Sequence, residues 1–348
     1  MTTLDVFAVM PIRAGLSIAL LFAAALAGAQ SSPREADRTA TRPNGNGEPE
    51  QITLRLGVLD IAGIEDREQV FTADLYMEVG WDDPRLSVDD DAATELRAMA
   101  LDEIWHPRLT IVNSRGLAVL LPEVATVDRQ GHVIVRQRVA GPLAVELDLR
   151  EFPFDSQRLP IEIVSYQYSQ AEIAFSADSE MVANLDRLSG DGWVYEAEAA
   201  QPFVYRLSDS GRGASGIAFG ILAQRNPEYF VLTLALPMTL IIFLAWMVHW
   251  LPVDVIPARM GTASATVFSL IAFGVSFRLT LPKIAYLTDA DRFVLFSTLL
   301  VLASLAITIV GVRLVGTDRK RAAEMLSRRA QLAFPILYGL IIFLTFIP

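Results

Sequence analysis

The amino-acid sequence predicts an all-β immunoglobulin-like sandwich followed by an all-α domain of four membrane-spanning helices. Between Gln51 and Arg225, apolar and polar residues mostly alternate with a period of two, as they do in half-buried strands. Four long uncharged runs follow, each near the length needed to cross a bilayer as a helix. Charge divides at the same place, because residues 30–228 hold 34 acidic and 18 basic side chains, whereas residues 229–348 hold 5 and 10.

The amino-terminal segment has the layout of a secretory signal peptide. Residues 14–29 are uncharged and apolar, follow a basic residue and end in small side chains. We expect residues 1–29 to be removed by cleavage after Ala29, and a short membrane anchor is the alternative. The polar residues 30–50, rich in Pro, Gly and Asn, predict a disordered lead-in. Export would place the sandwich domain, residues 51–225, outside the cell.

About ten short strands are expected in the sandwich domain. Alternation is clearest in three runs, residues 52–56, 133–139 and 159–163. Residues 197–207 and 215–225 predict a late pair of strands, and residues 91–101 predict one helical insert. The chain contains no cysteine, so the exported domain has neither a disulfide nor a thiolate metal site.

The membrane domain, residues 226–348, contains four predicted spans, at residues 229–251, 255–281, 293–312 and 332–347. With the sandwich outside, four spans return the carboxyl terminus to the outside as well. The loop at residues 313–330 then lies inside, and it carries six basic residues against two acidic ones, as the positive-inside rule expects. We therefore expect a multi-pass protein of the cell (inner) membrane, surrounded by lipid.

The second predicted span has the composition of a pore lining. Its eighteen uncharged residues, 260–277, are rich in Gly, Ala, Ser and Thr and lie between Arg259 and Arg278. One helical face repeats at spacings of four and three, formed by Gly261, Ala265, Phe268, Ala272, Val275 and Leu279. Copies of this face around an axis would enclose a channel that Phe268 closes by dewetting. A helix-packing seam is the alternative, because small residues also let helices approach closely.

Several motifs resemble those of the pentameric ligand-gated ion channels, the Cys-loop or Pro-loop receptor superfamily, in their prokaryotic form. They are, in order, Trp81-Asp-Asp-Pro84, Trp105-His-Pro107, Phe152-Pro153-Phe154-Asp155, Arg225, Pro237, Pro257-Ala-Arg259 and Leu281-Pro282-Lys283. The resemblance covers residues 51–348 and implies a homopentamer around a central pore. Val145 and Leu159 stand where animal members have bridged cysteines, and the loop between spans three and four is short.

The resemblance implies an anion channel, with chloride as the permeant ion. Cation-selective members have an acidic residue at the inner mouth, where this chain has Pro257 and Ala258. Arg259 near the inner mouth and Arg278 near the outer mouth would make both vestibules positive. Arg259 could instead point away from the axis toward lipid. A cation-selective, proton-gated channel of the same fold is therefore the alternative.

The resemblance also implies a ligand site between subunits, formed by Tyr76, Val112, Arg136, Tyr166, Tyr168, Phe203, Tyr205 and Arg206. Its aromatic rings suit an ammonium ligand, whereas Arg136 and Arg206 suit an anionic one. The tyrosines could instead pack an interface. The stimulus is a small-molecule agonist or protons, because clustered carboxylates in the acidic domain could titrate. Coupling between the domains is expected at Glu65, Asp66, Phe154, Asp155, Arg225 and Pro282.

Other classes of protein are not favoured. The sequence shows no His or Cys cluster and no Gly-rich phosphate loop, so we expect no catalytic residue, no metal site and no cofactor. A membrane-tethered sensor or enzyme with a sandwich head is a remote alternative. The acidic exported domain would be repelled by phosphate, which argues against nucleic-acid binding.

Overall fold

The computed structural model describes residues 39–45, 47–88, 96–206, 213–278 and 284–346. The predicted signal peptide, Leu279 and Pro282 lie outside these described residues. Two β-sheets form the first domain and four long helices form the second, which is the predicted architecture.

The first sheet has the strand order β10-β1-β2-β7-β6-β3, with β5 paired to β7 and β9 paired to β1. Its strands are β1 (Glu50–Glu65), β2 (Val70–Asp82), β3 (Leu96–Ala100), β5 (Ala118–Val119), β6 (Val124–Asp128), β7 (His132–Ala144), β9 (Ile173–Phe175) and β10 (Glu180–Ala183). The second sheet has the order β11-β13-β8-β4, with β12 paired to β13. It contains β4 (Leu109–Ile111), β8 (Ser156–Ser169), β11 (Trp193–Ala197), β12 (Gln201–Tyr205) and β13 (Ala214–Arg225).

The core lies between the two sheets because one side of each strand is apolar. Leu54 and Leu75 from the first sheet, and Ile161 and Phe219 from the second, are completely buried. Trp105 lies fully buried among them and meets Trp81 edge-on. Burial of these side chains, about 1.5–3 kcal/mol each, is the main force that holds the sandwich together.

Two local predictions in and before the sandwich are wrong. The described part of the lead-in is ordered, because Glu50 is buried in β1 and accepts hydrogen bonds from the backbone and side-chain nitrogens of Asn44. Residues 96–100 of the predicted helical insert form β3, which pairs with β6. The predicted late pair of strands is confirmed, because β12 (Gln201–Tyr205) lies within residues 197–207 and pairs antiparallel with β13 (Ala214–Arg225).

The four long helices are α1 (Glu228–Trp250), α2 (Ile256–Arg278), α3 (Asp289–Gly316) and α4 (Lys320–Phe346). The most apolar 18 residues of each helix have mean hydropathies of 2.4, 1.5, 2.6 and 1.6, so each helix contains a stretch apolar enough to cross a membrane. A π-helical turn at Val231–Ala235 precedes Pro237 in α1. The proline has no N–H for the preceding turn, and a π turn absorbs this break in the hydrogen-bond ladder.

The predicted inner loop at residues 313–330 is mostly helical, which corrects that prediction. Helix α3 continues to Gly316 and α4 begins at Lys320, so the connection is a tight turn. Asp318 takes a left-handed conformation, with φ of 59°, and the Arg319 N–H bonds to the carbonyl of Leu314. Such bonds satisfy the last carbonyls of a helix and reverse the chain. The basic residues that marked a loop are also good helix formers.

Candidate functional site

The sandwich rests on the helices through a segment that we call the junction loop, residues 145–155. The backbone N–H of Asp289 donates to the Arg150 carbonyl at 2.9 Å, and that of Ala290 donates to the Phe152 carbonyl at 3.2 Å. The Tyr286 hydroxyl accepts from the Leu149 N–H at 3.0 Å. The first N–H groups of a helix lack intrahelical partners, so the junction loop supplies what α3 needs at its start.

Aromatic contacts extend this junction to two further helices. The ring of Phe152 meets that of Phe230 in α1, with centroids 4.8 Å apart. The ring of Phe154 meets that of Phe346 at the end of α4, at 5.6 Å. Phe154, which was predicted as a coupling residue, therefore lies between the sandwich and the membrane domain.

Arg225 is the central residue of the junction. Its guanidinium donates to Asp155 through Nε at 2.8 Å and to Asp66 through Nη1 and Nη2 at 2.9 and 2.7 Å. Its side chain is only 5% exposed. The rings of Trp193 and Phe152 cover it, 4.1 and 4.9 Å from the guanidinium carbon. Charge-assisted bonds of this kind are the strongest in proteins, and burial makes them costly to break.

The Arg225 guanidinium keeps its positive charge in this cluster. Burial alone would lower the pKa of this guanidinium, but the hydrogen bonds and charges of Asp66 and Asp155 outweigh it and raise the pKa above the ordinary value. The cluster joins three parts of the chain, namely the turn after β1, the junction loop and the last residue of β13. Because β13 leads directly into α1, the cluster lies next to the start of the first span.

Two members of this cluster were not predicted. Gln157 donates to Asp155 at 2.5 Å and accepts from the Asp148 N–H at 3.0 Å, so it fixes the carboxylate that holds Arg225. Trp193 supplies the closest ring. Gln157 could have been predicted from the sequence, because it is a polar residue at an inward position of an otherwise apolar strand. Among the predicted carboxylates, Asp66 pairs with Arg225, whereas Glu65 is exposed.

The pore-like face of α2 is free within one subunit. Helix α2 packs on the rest of its own bundle with one stripe, formed by Arg259, Ala263, Thr266, Leu270 and Gly274. The described members of the predicted pore face are all exposed, and they are Gly261, Ala265, Phe268, Ala272 and Val275. At 100° per residue the two sets are centred about 180° apart. Phe268 is 72% exposed, so the packing seam within the subunit is a different face of the helix.

Arg259 does not lie on this face, which corrects its predicted place on the pore axis. Its residue is 2% exposed, and Nη2 donates to the Ser327 hydroxyl of α4 at 2.8 Å. The helical period explains this, because position 259 shares a face with Ala263 rather than with Gly261. Pro257 and Ala258 are exposed beside it. Arg278 is 63% exposed, and its Nε lies 3.9 Å from a carboxylate oxygen of Asp291.

Tyr168 is a core residue rather than a ligand contact. It is 8% exposed and its hydroxyl accepts from the Trp105 indole nitrogen at 2.9 Å, whereas Tyr166 is 64% exposed. A shift of register in β8 separates the two tyrosines, because Val164 pairs with Gly216 but Ser169 pairs with Ala214. Extra residues in one strand break the period of two, so neighbours that would share a face do not.

We expect Tyr168→Phe to lower the free energy of unfolding by about 1 kcal/mol, since it leaves the buried Trp105 nitrogen without its partner. The response to any stimulus should not change. Chemical unfolding of the two variants Tyr168→Phe and Tyr166→Phe checks this, because the exposed Tyr166 should give no loss. Equal losses from both substitutions would contradict the assignment.

The remaining predicted ligand residues divide between the two sheets. Tyr76 and Arg136 lie on β2 and β7 of the first sheet, whereas the second sheet or its flanks carry Val112, Tyr166, Phe203, Tyr205 and Arg206. Arg136 pairs with Glu78 at 2.9 Å, so its charge is already partly offset. Two sets on different sheets fit a site that a second copy of the chain completes.

The half-buried His106 is expected to make the sandwich sensitive to acid. Burial, and next the charge of Arg108, lowers the pKa of His106 to about 4. Because the unfolded chain binds this proton near pH 6.5, stability should fall as the pH drops from about 6.5 to 4. We expect Tm to decrease over that window, and His106→Gln to reduce the decrease. His132→Gln, at an exposed position, is the matched control, and an equal effect from both would contradict this account.

Comparison with known proteins agrees with this architecture. Residues 37–200 match the family model of the neurotransmitter-gated ion-channel ligand binding domain, and residues 234–338 match that of the neurotransmitter-gated ion-channel transmembrane region. The chain is 28% identical over 250 residues to the gamma-aminobutyric acid receptor subunit pi of Bos taurus and 26% identical over 250 residues to that of Mus musculus. Each match covers 70% of this chain and 56% of the relative, so the chain spans little more than half of these relatives.

The two family matches lie on the two observed domains, the first on the sandwich and the second on the helices. They identify a multi-pass membrane protein whose amino-terminal domain is extracellular. Members of this family are channels and not enzymes. The chain belongs to the neurotransmitter-gated ion-channel family, the pentameric Cys-loop receptors.

Proposed function

We propose that five copies of this chain form a ligand-gated ion channel with α2 around the axis. The observation that carries this proposal is the exposed apolar face of α2, which lies opposite the stripe that packs in the bundle. In a single subunit Phe268 would be exposed without a partner. Five such rings facing one another would form an apolar constriction, and ions cannot cross it until it widens and wets.

Gating acts through the junction in this proposal. A stimulus moves the sandwich, and Asp66 and Asp155 transmit the motion to Arg225 and from there to α1. The junction loop moves α3 and α4 at the same time through Asp289 and Phe346. The links through Arg225 are short and buried, so a displacement of the sandwich is not absorbed there by flexible side chains.

We assign anion selectivity to the inner mouth, with chloride as the permeant ion. The exposed residues before the pore face are Pro257 and Ala258, which carry no charge. Asp254, the nearest acid, bonds to the Lys320 ammonium at 2.5 Å, so its charge is offset. Arg259 is buried nearby, where low dielectric lets its positive charge act over a longer range than in water.

Lys320→Gln should weaken anion selectivity, because it leaves Asp254 unpaired near the inner mouth. We expect the reversal potential under a sodium chloride gradient to move away from the chloride value toward zero. Arg321→Gln, a neighbouring exposed basic residue on the same helix, is the matched control and should leave the potential unchanged. A wild-type reversal potential that follows sodium would overturn the anion assignment itself.

The stimulus is a small molecule bound between subunits, in a box that Tyr76 of one copy and Tyr166, Phe203 and Tyr205 of the next would form. Gamma-aminobutyric acid, which names the receptors similar to this chain, is the first compound to test. Protons are the second, because the exported domain is acidic. Planar-bilayer recording across pH 4–9, first without and then with amines and carboxylates, separates the two.

We place the channel in the prokaryotic branch of the family and in the cell (inner) membrane. The absence of cysteine and the turn of three residues between α3 and α4 support this placement, since animal members carry a bridge and a large inner domain there. Purification of the chain from a bacterial inner membrane as a pentamer would support it, and a monomer would contradict it.

A further inference from the structure

The Phe203 ring of the proposed ligand site lies directly over a glycine. Phe203 on β12 pairs with Gly216 on the adjacent strand β13. A Cβ added at Gly216 would lie 2.8 and 2.9 Å from the ring atoms Cε1 and Cζ of Phe203. Carbon atoms in ordinary contact are about 3.5–4.0 Å apart. The ring therefore occupies the space that a side chain at position 216 would need.

This contact, and not the backbone, explains the glycine at position 216. Gly216 does not have the positive φ that favours glycine, in contrast to Gly192, whose φ is 85°. Glycine inside a strand weakens the strand, and it commonly marks the close approach of another group. At position 216 the approaching group is the Phe203 ring.

The Phe203 ring lies on the outward side of the second sheet. Phe219 belongs to the core, so the alternation along β13 places Gly216 outward. Val164 pairs with Gly216 from β8, is 1% exposed, and would have its Cγ2 at 3.1 Å from the added Cβ. The ring therefore rests beside Val164, two residues along β8 from the exposed Tyr166.

The other side of the proposed site has a similar arrangement on the first sheet. Tyr76 on β2 pairs with Gly57 on β1. A Cβ added at Gly57 would lie 3.4 Å from the Tyr76 Cβ and 3.7 Å from its Cδ1, which are ordinary contact distances. A methyl group added at Gly57 would thus leave the Tyr76 ring in place, whereas one added at Gly216 would displace the Phe203 ring.

An aromatic ring over a glycine also stabilises a pair of strands, so a role in folding has to be separated from a role in the site. Gly220 gives the comparison, because it lies on the same side of β13. A Cβ added there would collide with the Glu198 carboxylate, which pairs with Arg158. Substitution of Gly220 therefore disturbs the same strand without moving an aromatic ring.

We propose that Gly216 is a positioning residue that sets the size of the agonist in the site between subunits. This inference rests on the proposed ligand-gated function. Because glycine has no side chain, the Phe203 ring stays close to its own sheet and leaves room for a ligand in front of Tyr76 of the neighbouring copy. The room suits an organic amine whose body is as large as an aromatic ring.

The charges on the first sheet favour an amine over a carboxylate. Arg136 and Arg138 lie on β7 and pair with Glu78 and Asp74 at 2.9 and 2.6 Å. A ligand carboxylate would compete with these protein carboxylates for the two guanidinium groups. The faces of aromatic rings, in contrast, attract a cation directly.

The first test compares a small and a bulky amine, methylamine and 2-phenylethylamine, on purified channels in planar bilayers. Gly216→Ala should raise the EC50 of 2-phenylethylamine about tenfold and that of methylamine less than about threefold, because one misplaced methyl group in a pocket costs at least about tenfold in the binding of a ligand that fills it. Gly57→Ala, and Gly220→Ala as the matched control, should leave both EC50 values near those of wild type. Maximal current, the response to protons and Tm should stay unchanged in all three variants.

The second test asks whether Gly216 acts through the ring. In a Phe203→Ala background the added methyl group has nothing to displace, so Gly216→Ala should leave the EC50 values of that background unchanged. The inference is overturned if Gly216→Ala keeps the wild-type ratio of the two EC50 values, if Gly220→Ala changes this ratio as much, or if the shift persists without the ring. A wild-type channel that responds to protons but to neither amine also overturns it. A wild type without current under any stimulus contradicts the proposed function itself.

Discussion

Replacing Arg225 with glutamine is expected to destabilise the channel by about 3–5 kcal/mol and to abolish gating, because the substitution leaves two buried carboxylates without a cation. Asp155 is buried, and Asp66 is mostly covered by the same cluster. Glutamine keeps a hydrogen-bond donor but neither the charge nor the planar fork that reaches both carboxylates. The measurements are the yield of folded pentamer and the stimulated current per channel at the surface.

The matched control is Arg158→Gln. Arg158 lies on the adjacent strand β8 and pairs with Glu198 at 2.6 Å, but its side chain is 49% exposed. An exposed ion pair contributes about 0–1 kcal/mol, so this variant should fold and respond normally. Equal damage from the two substitutions would show that any lost arginine pair disturbs the sandwich. That result would contradict a specific role for Arg225 in gating.

The triple variant Arg225→Leu, Asp66→Asn, Asp155→Asn separates stability from gating. Removing both carboxylate charges together with the guanidinium leaves no unpaired buried ion. Much of the lost free energy of unfolding should therefore be recovered. The charged link between sandwich and α1 is nevertheless absent, and we expect surface pentamers that respond weakly or not at all. A variant that folds and also gates normally would show that the cluster only stabilises the junction.

The membrane half of this molecule was largely predictable because its signals are local. Uncharged runs of sufficient length mark the spans, and the spacing of Gly261, Phe268 and Val275 marks the exposed face of α2. The same arithmetic, applied two residues earlier, places Arg259 on the buried face. The predicted place of Arg259 on the pore axis was wrong, because the prediction used its sequence position near the pore mouth and not the face of the helix on which it lies.

The sandwich half depends on contacts between distant residues, and these set the limit of prediction. Asp66 and Arg225 are 159 positions apart, and only the fold brings them together. The bulged register of β8 turns Tyr168 inward, although a strict period of two would give it the same side as Tyr166. The lead-in looked disordered by composition, but Arg42 reaches the Glu172 carbonyl and fastens it to the domain. None of these contacts can be predicted from residues that are neighbours in the sequence.

Replacing Phe268 with serine is expected to produce current without any stimulus. The side chain is the largest on the exposed face of α2, where its neighbours one turn away are Ala265 and Ala272. A ring of five phenylalanines excludes water by shape and by apolarity, and serine removes both barriers. We expect resting current close to the wild-type stimulated level, recorded from purified channels in planar bilayers.

The control for this result is Ile271→Ser on the same helix. Ile271 is 50% exposed, but at 100° per residue it lies about 60° around the helix from Phe268, toward the side of the pore face. Loss of an apolar side chain there should change little at rest, because the constriction itself remains. If Ile271→Ser leaks as much as Phe268→Ser, the barrier is a property of the whole apolar helix. If neither leaks, the channel is closed at another level, and the ring at position 268 is not its gate.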